Sequence, residues 1–154
     1  MLSTKAIENI KKAIDKYPRK RFASMDALMI AQEECGCLTE EVLREVAHML
    51  DIAPVQLNQV AAFYTMYNKK SVGKYHIQVC TNVPCSLLGA EHIAEFLSKK
   101  LGVKKGETTP DKRFTLSEVE CLGSCGTAPM MQINDDYYEN LTEENIEEIL
   151  KGLK

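Results

Sequence analysis

Eight glycines are spread over 154 residues, and none falls into G-x-G-x-x-G or a phosphate-cradling loop. Nothing in the sequence therefore looks built to hold a dinucleotide or a phosphate. No apolar run approaches the ~20 residues that a membrane span needs, so direct membrane insertion is not expected. The opening stretch, MLSTKAIENIKKAIDKY, has amphipathic periodicity where a signal peptide would carry an apolar block, which predicts a cytoplasmic protein. An excess of one charge is also missing. Met1 to Val72 holds ten basic and nine acidic residues, and Gly73 to Lys154 holds nine basic and thirteen acidic. A mildly acidic second half gives nucleic-acid binding no electrostatic support.

What is present divides into two patterns. With 45% hydrophobic and 27% charged residues the chain is long enough to bury a core, as one domain or two small ones. From Ser3 to about Tyr64 the apolar residues recur at helical spacing: Ile7, Ile10 and Ile14; Met25, Leu28 and Met29; Val42, Leu43, Val46, Ala47 and Leu50; Val55, Leu57, Val60 and Ala61. Four short helices are predicted, with Ser24 and Thr39 as N-caps, Gly36 as a stop and Pro54 in a first turn. Beyond YNKKSVGKY the period becomes two, in KYHIQVC, FTLSEVEC and PMMQIND, with DYYENL as a fourth strand. SLLGAEHIAEFLSKKLG supplies a helix stopped by Gly102, and TEENIEEILKGL a last helix capped by Thr142. The expected organisation is an α-helical bundle over residues 1–72 followed by a β-α-β-β-β-α domain over residues 73–154.

In a reducing compartment six cysteines argue for metal or redox chemistry over a disulfide framework. Four of them form two loops that mirror each other: Cys80 and Cys85 in VCTNVPCSLLG, Cys121 and Cys125 in VECLGSCGTAP. Each pair follows directly on a predicted strand. Four thiolates are the ligand set of a 2Fe-2S cluster and also of a structural zinc, and spacing alone leaves both open. Both gaps are wider than the C-x2-C knuckle common at zinc, which favours the cluster. A thiol oxidoreductase would need a reactive C-x-x-C, which neither pair provides.

A 2Fe-2S cluster on four thiolates is an anion and gains a further negative charge on reduction. Neither ligand loop contains Lys or Arg. The available stabilisers are backbone groups: the first turn of a helix expected to open at Ser86, and amides turned onto sulfur by Gly123 and Gly126. Without fixed positive side chains, and without the histidine ligands that raise Rieske potentials, the pattern suits a low-potential carrier.

FYTMYNKKSVGKYHIQVCTNVPCSLLGA and VECLGSCGTAPMMQINDDYYENLT together resemble the NuoE-type subunits of NADH:quinone oxidoreductase, respiratory complex I. Related subunits occur in NAD(P)-linked hydrogenases and formate dehydrogenases. The resemblance runs from YPRKR, starting at Tyr17, to the C-terminus. It implies a helical bundle followed by a thioredoxin-like ferredoxin domain that carries one 2Fe-2S cluster on Cys80, Cys85, Cys121 and Cys125. It also implies docking on a larger subunit that binds flavin mononucleotide and NAD(H), among further iron-sulfur subunits. Since the chain lacks a nucleotide motif, the flavin belongs to that partner and this chain exchanges single electrons with it. No catalytic acid or base is expected.

Other conspicuous residues take blander expectations. Cys35 and Cys37 in EECGCLT read as ordinary, partly buried thiols. His48, His76 and His92 read as packed or solvent-facing. Arg19, Lys20 and Arg21 read as a solvated loop, with partner docking as the alternative, and Phe63, Tyr64, Met66 and Tyr67 as interdomain packing, with a surface for the larger subunit as the alternative.

Overall fold

The computed structural model describes residues 1–153. The chain divides into two compact units, Met1–Ser71 and Val72–Lys154.

The first unit is helical: α1 (Thr4–Ile14), α2 (Ser24–Cys35), α3 (Glu40–Leu50) and α4 (Pro54–Phe63). Local chemistry sets most of its boundaries. The Thr39 hydroxyl accepts from the Val42 amide at 3.4 Å, Gly36 ends α2 in the left-handed region at φ 76°, and Pro54 occupies the first turn of α4. Ser24 is not the N-cap that its residue type suggests. A 3-10 turn, Lys20–Ala23, runs straight into α2, and the Ser24 hydroxyl donates back to the Arg21 carbonyl at 2.6 Å. Turns of one helix already cover the start of the next, so no side-chain cap is required.

Ile10, Leu28, Val46, Leu50 and Leu57 fill the core of this unit, with Ala27, Ala31, Ala47 and Ala61 allowing close packing around them. Two residues expected inside are exposed: Met25 at 38% and Val55 at 62%. On α2 the buried positions are Ser24, Ala27, Leu28 and Ala31, and on α4 they are Leu57 and Ala61. Met25 and Val55 fall off those stripes.

The second unit is built on a four-stranded sheet of β1 (Tyr75–Cys80), β2 (Phe114–Val119), β3 (Met131–Ile133) and β4 (Asp136–Tyr138), in spatial order β2-β1-β3-β4. β1 pairs with β2 in parallel and with β3 antiparallel, and β3 pairs antiparallel with β4. A parallel neighbour needs a crossover, supplied here by α5 (Val83–Leu87) and α6 (Ala90–Leu101). α7 (Glu143–Gly152) closes the unit, with the Thr142 hydroxyl accepting from the Asn145 amide at 3.3 Å. Ile77, Val79, Leu116 and Met131 of the sheet share one buried cluster with Ile93, Leu97 and Ile146 of the helices.

The single crossover helix expected from Ser86 is instead two. Gly89 sits at φ 92° between α5 and α6, and the Leu88 and Gly89 amides turn back onto the Cys85 and Ser86 carbonyls at 3.1 Å. A left-handed residue cannot continue a right-handed helix. Among the described residues no helix is long and apolar enough to cross a membrane.

Candidate metal centre

Two adjacent parallel strands end at the same edge of a sheet, and this is what brings the two cysteine loops together. Cys80 is the last residue of β1 and stands opposite Val119, the last of β2. The ladder runs one step further through the Thr81 amide to the Val119 carbonyl at 2.9 Å. Cys121 follows two residues later. The Cys80 thiol donates to the Glu120 carbonyl at 2.9 Å, and the Cys80 amide to the Met130 carbonyl at 3.2 Å. Three segments thus meet at Cys80.

Cys85 is carried by α5, whose start is fixed by Asn82. The Asn82 side-chain oxygen accepts from the Val83 amide at 2.9 Å, and its nitrogen donates to the Glu120 carboxylate at 3.3 Å. This pose turns Cys85 inward, where it packs with Cys80, Ala90 and Met130 and is 2% exposed. Burial, first, and a hydrogen bond with the Cys80 thiol push the Cys85 thiol up to about 11, while the Met130 amide donates to its sulfur and acts the other way.

The second pair is built differently. Cys121 and Cys125 are both exposed, and their sulfurs stand 3.8 Å apart. Gly123, at φ 86°, turns its amide onto the Cys121 sulfur at 3.3 Å. Cys125 opens a 3-10 turn, Cys125–Thr127. A hydrogen bond with Cys121, followed by the charge of that neighbour, raises the Cys125 thiol. The loop is tied down from β4 and beyond: the Tyr137 hydroxyl donates to the Leu122 carbonyl at 2.6 Å and the Asn140 amide to the Thr127 carbonyl at 2.8 Å.

This donor set fits an iron–sulfur centre. Two thiolates ~2.3 Å from one tetrahedral metal are held roughly 3.8 Å apart, which matches the separation of the Cys121 and Cys125 sulfurs. The four thiols stand as two neighbouring pairs, Cys80 with Cys85 and Cys121 with Cys125, the all-cysteine donor set that a 2Fe-2S cluster takes. Of the backbone donors expected to face sulfur, Gly123 does so, whereas Gly126 lies within the 3-10 turn. Because the helix opens at Val83 and not at Ser86, Cys85 lies inside its first turn. The Met130 amide was not legible in the sequence, since a backbone donor carries no residue signature.

Other candidate residues lie elsewhere. Cys35 and Cys37 are half-buried in the first unit, Cys35 against its core. His48 and His92 are exposed, with His92 Nε2 at 2.7 Å from Glu143. His76 Nε2 lies 2.9 Å from the Ser117 hydroxyl on β2, and burial holds its pKa below the usual histidine range. Arg19, Lys20 and Arg21 are exposed. Tyr67 is buried, donating to the Met25 carbonyl at 3.0 Å, while Phe63, Tyr64 and Met66 are on the surface of their unit.

Residues 10–154 match the thioredoxin-like 2Fe-2S ferredoxin family. The chain belongs to that family. Membership gives this ferredoxin one 2Fe-2S cluster. It is 46% identical over 147 residues to an E-type subunit of the NADH-quinone oxidoreductase of Rhizobium meliloti, covering 96% of this chain and 88% of that one. To the corresponding E-type subunit of Rickettsia felis it is 51% identical over 140 residues, covering 89% and 84%. Among solved structures, an NAD+-reducing NiFe hydrogenase in the air-oxidised state shares the fold at a TM-score of 0.70 and 20% identity. That match covers 82% of this ferredoxin and 22% of the hydrogenase chain, so this ferredoxin spans about a fifth of its length.

Proposed function

We propose that this ferredoxin holds its 2Fe-2S cluster on Cys80, Cys85, Cys121 and Cys125 and serves as the one-electron carrier of an NADH-oxidising complex of the NADH-quinone oxidoreductase type. The observation that carries the ligand assignment is the meeting of two thiol pairs at the ends of adjacent parallel strands. The identity of roughly half with two NADH-quinone oxidoreductase subunits, over nearly their whole length, supports the setting. The partner is a flavoprotein that binds flavin mononucleotide and NAD(H), within an assembly containing further iron-sulfur subunits. The cytoplasm is the compartment in which such an assembly would meet NADH.

When bound, the cluster supplies reversible one-electron storage between two irons. The chain's own residues do the rest. Cys80 and Cys85 would hold one side of the cluster in a buried pocket with Ala90 and Met130. Cys121 and Cys125 are exposed and would hold its outward side, the side open to a docked partner. Amides of Met130 and Gly123 donate to sulfur and stabilise negative charge there without a fixed cation. Exposed Val83, Leu87 and Leu88 on and after α5 give the partner an apolar surface beside Cys85.

The test is iron and acid-labile sulfide analysis with visible absorption on anaerobically purified protein, followed by reduction. Dithionite should produce the EPR signal of a single unpaired electron. NADH should produce it only when the flavoprotein is added. A colourless protein containing zinc would overturn the assignment, and NADH reduction of the isolated chain would overturn the division of labour.

A further inference from the structure

The exposed thiols lie outside the pocket that encloses Cys85, although Leu122 and Ala128 at the two ends of their loop pack against its cluster. Between those two contacts the loop is held by hydrogen bonds from β4 and the residues that follow it. The Glu139 carboxylate is at their centre: it accepts from the Ser124 hydroxyl and, at 2.5 Å, from the Thr127 hydroxyl. Ser124 immediately precedes Cys125, and Thr127 ends the turn that Cys125 opens. The two hydroxyls are themselves 2.8 Å apart, so the carboxylate closes a small ring around the backbone of Cys125. Among the described ion pairs none involves Glu139. An uncompensated carboxylate beside an anionic centre is electrostatically costly, and its two hydroxyl partners offset that cost only in this pose.

We infer that Glu139 is the positioning residue of the exposed ligand pair: its carboxylate clamps Ser124 and Thr127 on either side of Cys125, and its charge holds the reduction potential down. The inference rests on Cys121 and Cys125 being ligands. Mobility in their loop exposes iron to chelators, and a fixed anion close by disfavours adding an electron.

The test uses the full chain loaded with its cluster and three variants. Glu139→Ala removes clamp and charge, Glu139→Gln keeps an oxygen that accepts from both hydroxyls but removes the charge, and Ser124→Ala with Thr127→Val removes the donors. Iron release to a chelator should be about tenfold faster in Glu139→Ala and in the donor variant, and near the wild-type rate in Glu139→Gln. Adding Glu139→Ala to the donor variant should not accelerate release further, since both remove one unit. The potential should shift upward in Glu139→Gln, a change that a merely structural role would not produce. Wild-type release from Glu139→Ala, or an unmoved potential in Glu139→Gln, overturns the inference while the cluster assignment stands. Wild-type protein without iron and labile sulfide overturns both.

Discussion

Substituting Cys85 and Cys125 by alanine should give the same outcome for iron and opposite outcomes for the iron-free protein. If each iron takes two thiolates, either substitution leaves one iron short of a ligand, and the cluster should be lost or severely destabilised. Stability of the stripped chain separates the two. Cys85 is 2% exposed and packs with Cys80, Ala90 and Met130. Removing its sulfur forfeits about 1 kcal/mol of burial. It also strips the Met130 amide of the acceptor it uses in a fully buried residue, costing ~1–3 kcal/mol. Cys85→Ala should therefore destabilise the iron-free second unit by about 2–4 kcal/mol. Cys125 is exposed, so its truncation should stay within about 0.5 kcal/mol. Hydrogen exchange of the β1 and β3 amides reports the second unit alone, and about 2 kcal/mol corresponds to roughly thirtyfold faster exchange where opening is global. Iron-free Cys85→Ala with wild-type protection would refute the buried-pocket account. A full iron complement in Cys125→Ala would refute the ligand assignment, as would loss of iron from Cys35→Ala or Cys37→Ala.

Two further outcomes follow from geometry away from the thiols. A Cβ on Gly73 would lie 2.9 Å from backbone atoms of Arg113 and Phe114, and the Gly73 amide donates to the Thr115 hydroxyl at 2.7 Å; Gly73→Ala should cost ~1–3 kcal/mol. Gly126→Ala, with open space at its Cβ, should cost far less, and equal urea midpoints for the two would contradict the close approach. His76 binds its proton less readily folded than unfolded, so between its lowered folded pKa and the ordinary ~6.5 the unfolded chain holds more protons and stability rises with pH. His76 should thus contribute a loss of second-unit stability as pH falls through about 6.5, and His76→Gln should flatten that slope; an unchanged slope would assign it to another group.

Much of this architecture is legible because the deciding signals are local. The switch from helical to twofold periodicity after YNKKSVGKY marks where the helices give way to β1, and Gly36, Thr39, Gly102 and Thr142 act at the helix ends where their chemistry places them. Cysteines placed just after strands are informative for a further reason. If the strands are parallel neighbours their ends coincide, as Cys80 and Val119 do. The features that escaped are those in which a local signal has two meanings or none. Leu87, Leu88 and Ala90 keep helical spacing across Gly89, yet that glycine breaks the helix. Ser24 has the residue type of an N-cap but follows a 3-10 turn that makes a cap unnecessary. The Met130 amide and the Glu139 carboxylate reach the thiol loops through tertiary folding, from positions flanking β3 and β4 that periodicity describes as ordinary.

The two halves of the metal centre are held by opposite means, and this bears on how a carrier exchanges electrons. Cys85 is fixed by burial and by backbone donation, which resist displacement but keep a partner at a distance. Cys121 and Cys125 have no such cover themselves; their loop is held by Leu122 and Ala128 packing at its ends and by side chains around it, Tyr137 on Leu122 and Glu139 on Ser124 and Thr127. With all four thiols as ligands, one iron would be anchored inside and the other would stand at the surface. On that assignment the outer iron would offer the shorter route to a docked protein, while the inner one would retain the cluster through each encounter. Covering the outer pair would strengthen retention but lengthen the electron's path. Replacing the inner pocket by a second open loop would shorten no path and would leave the cluster exposed to water and oxidants on both sides.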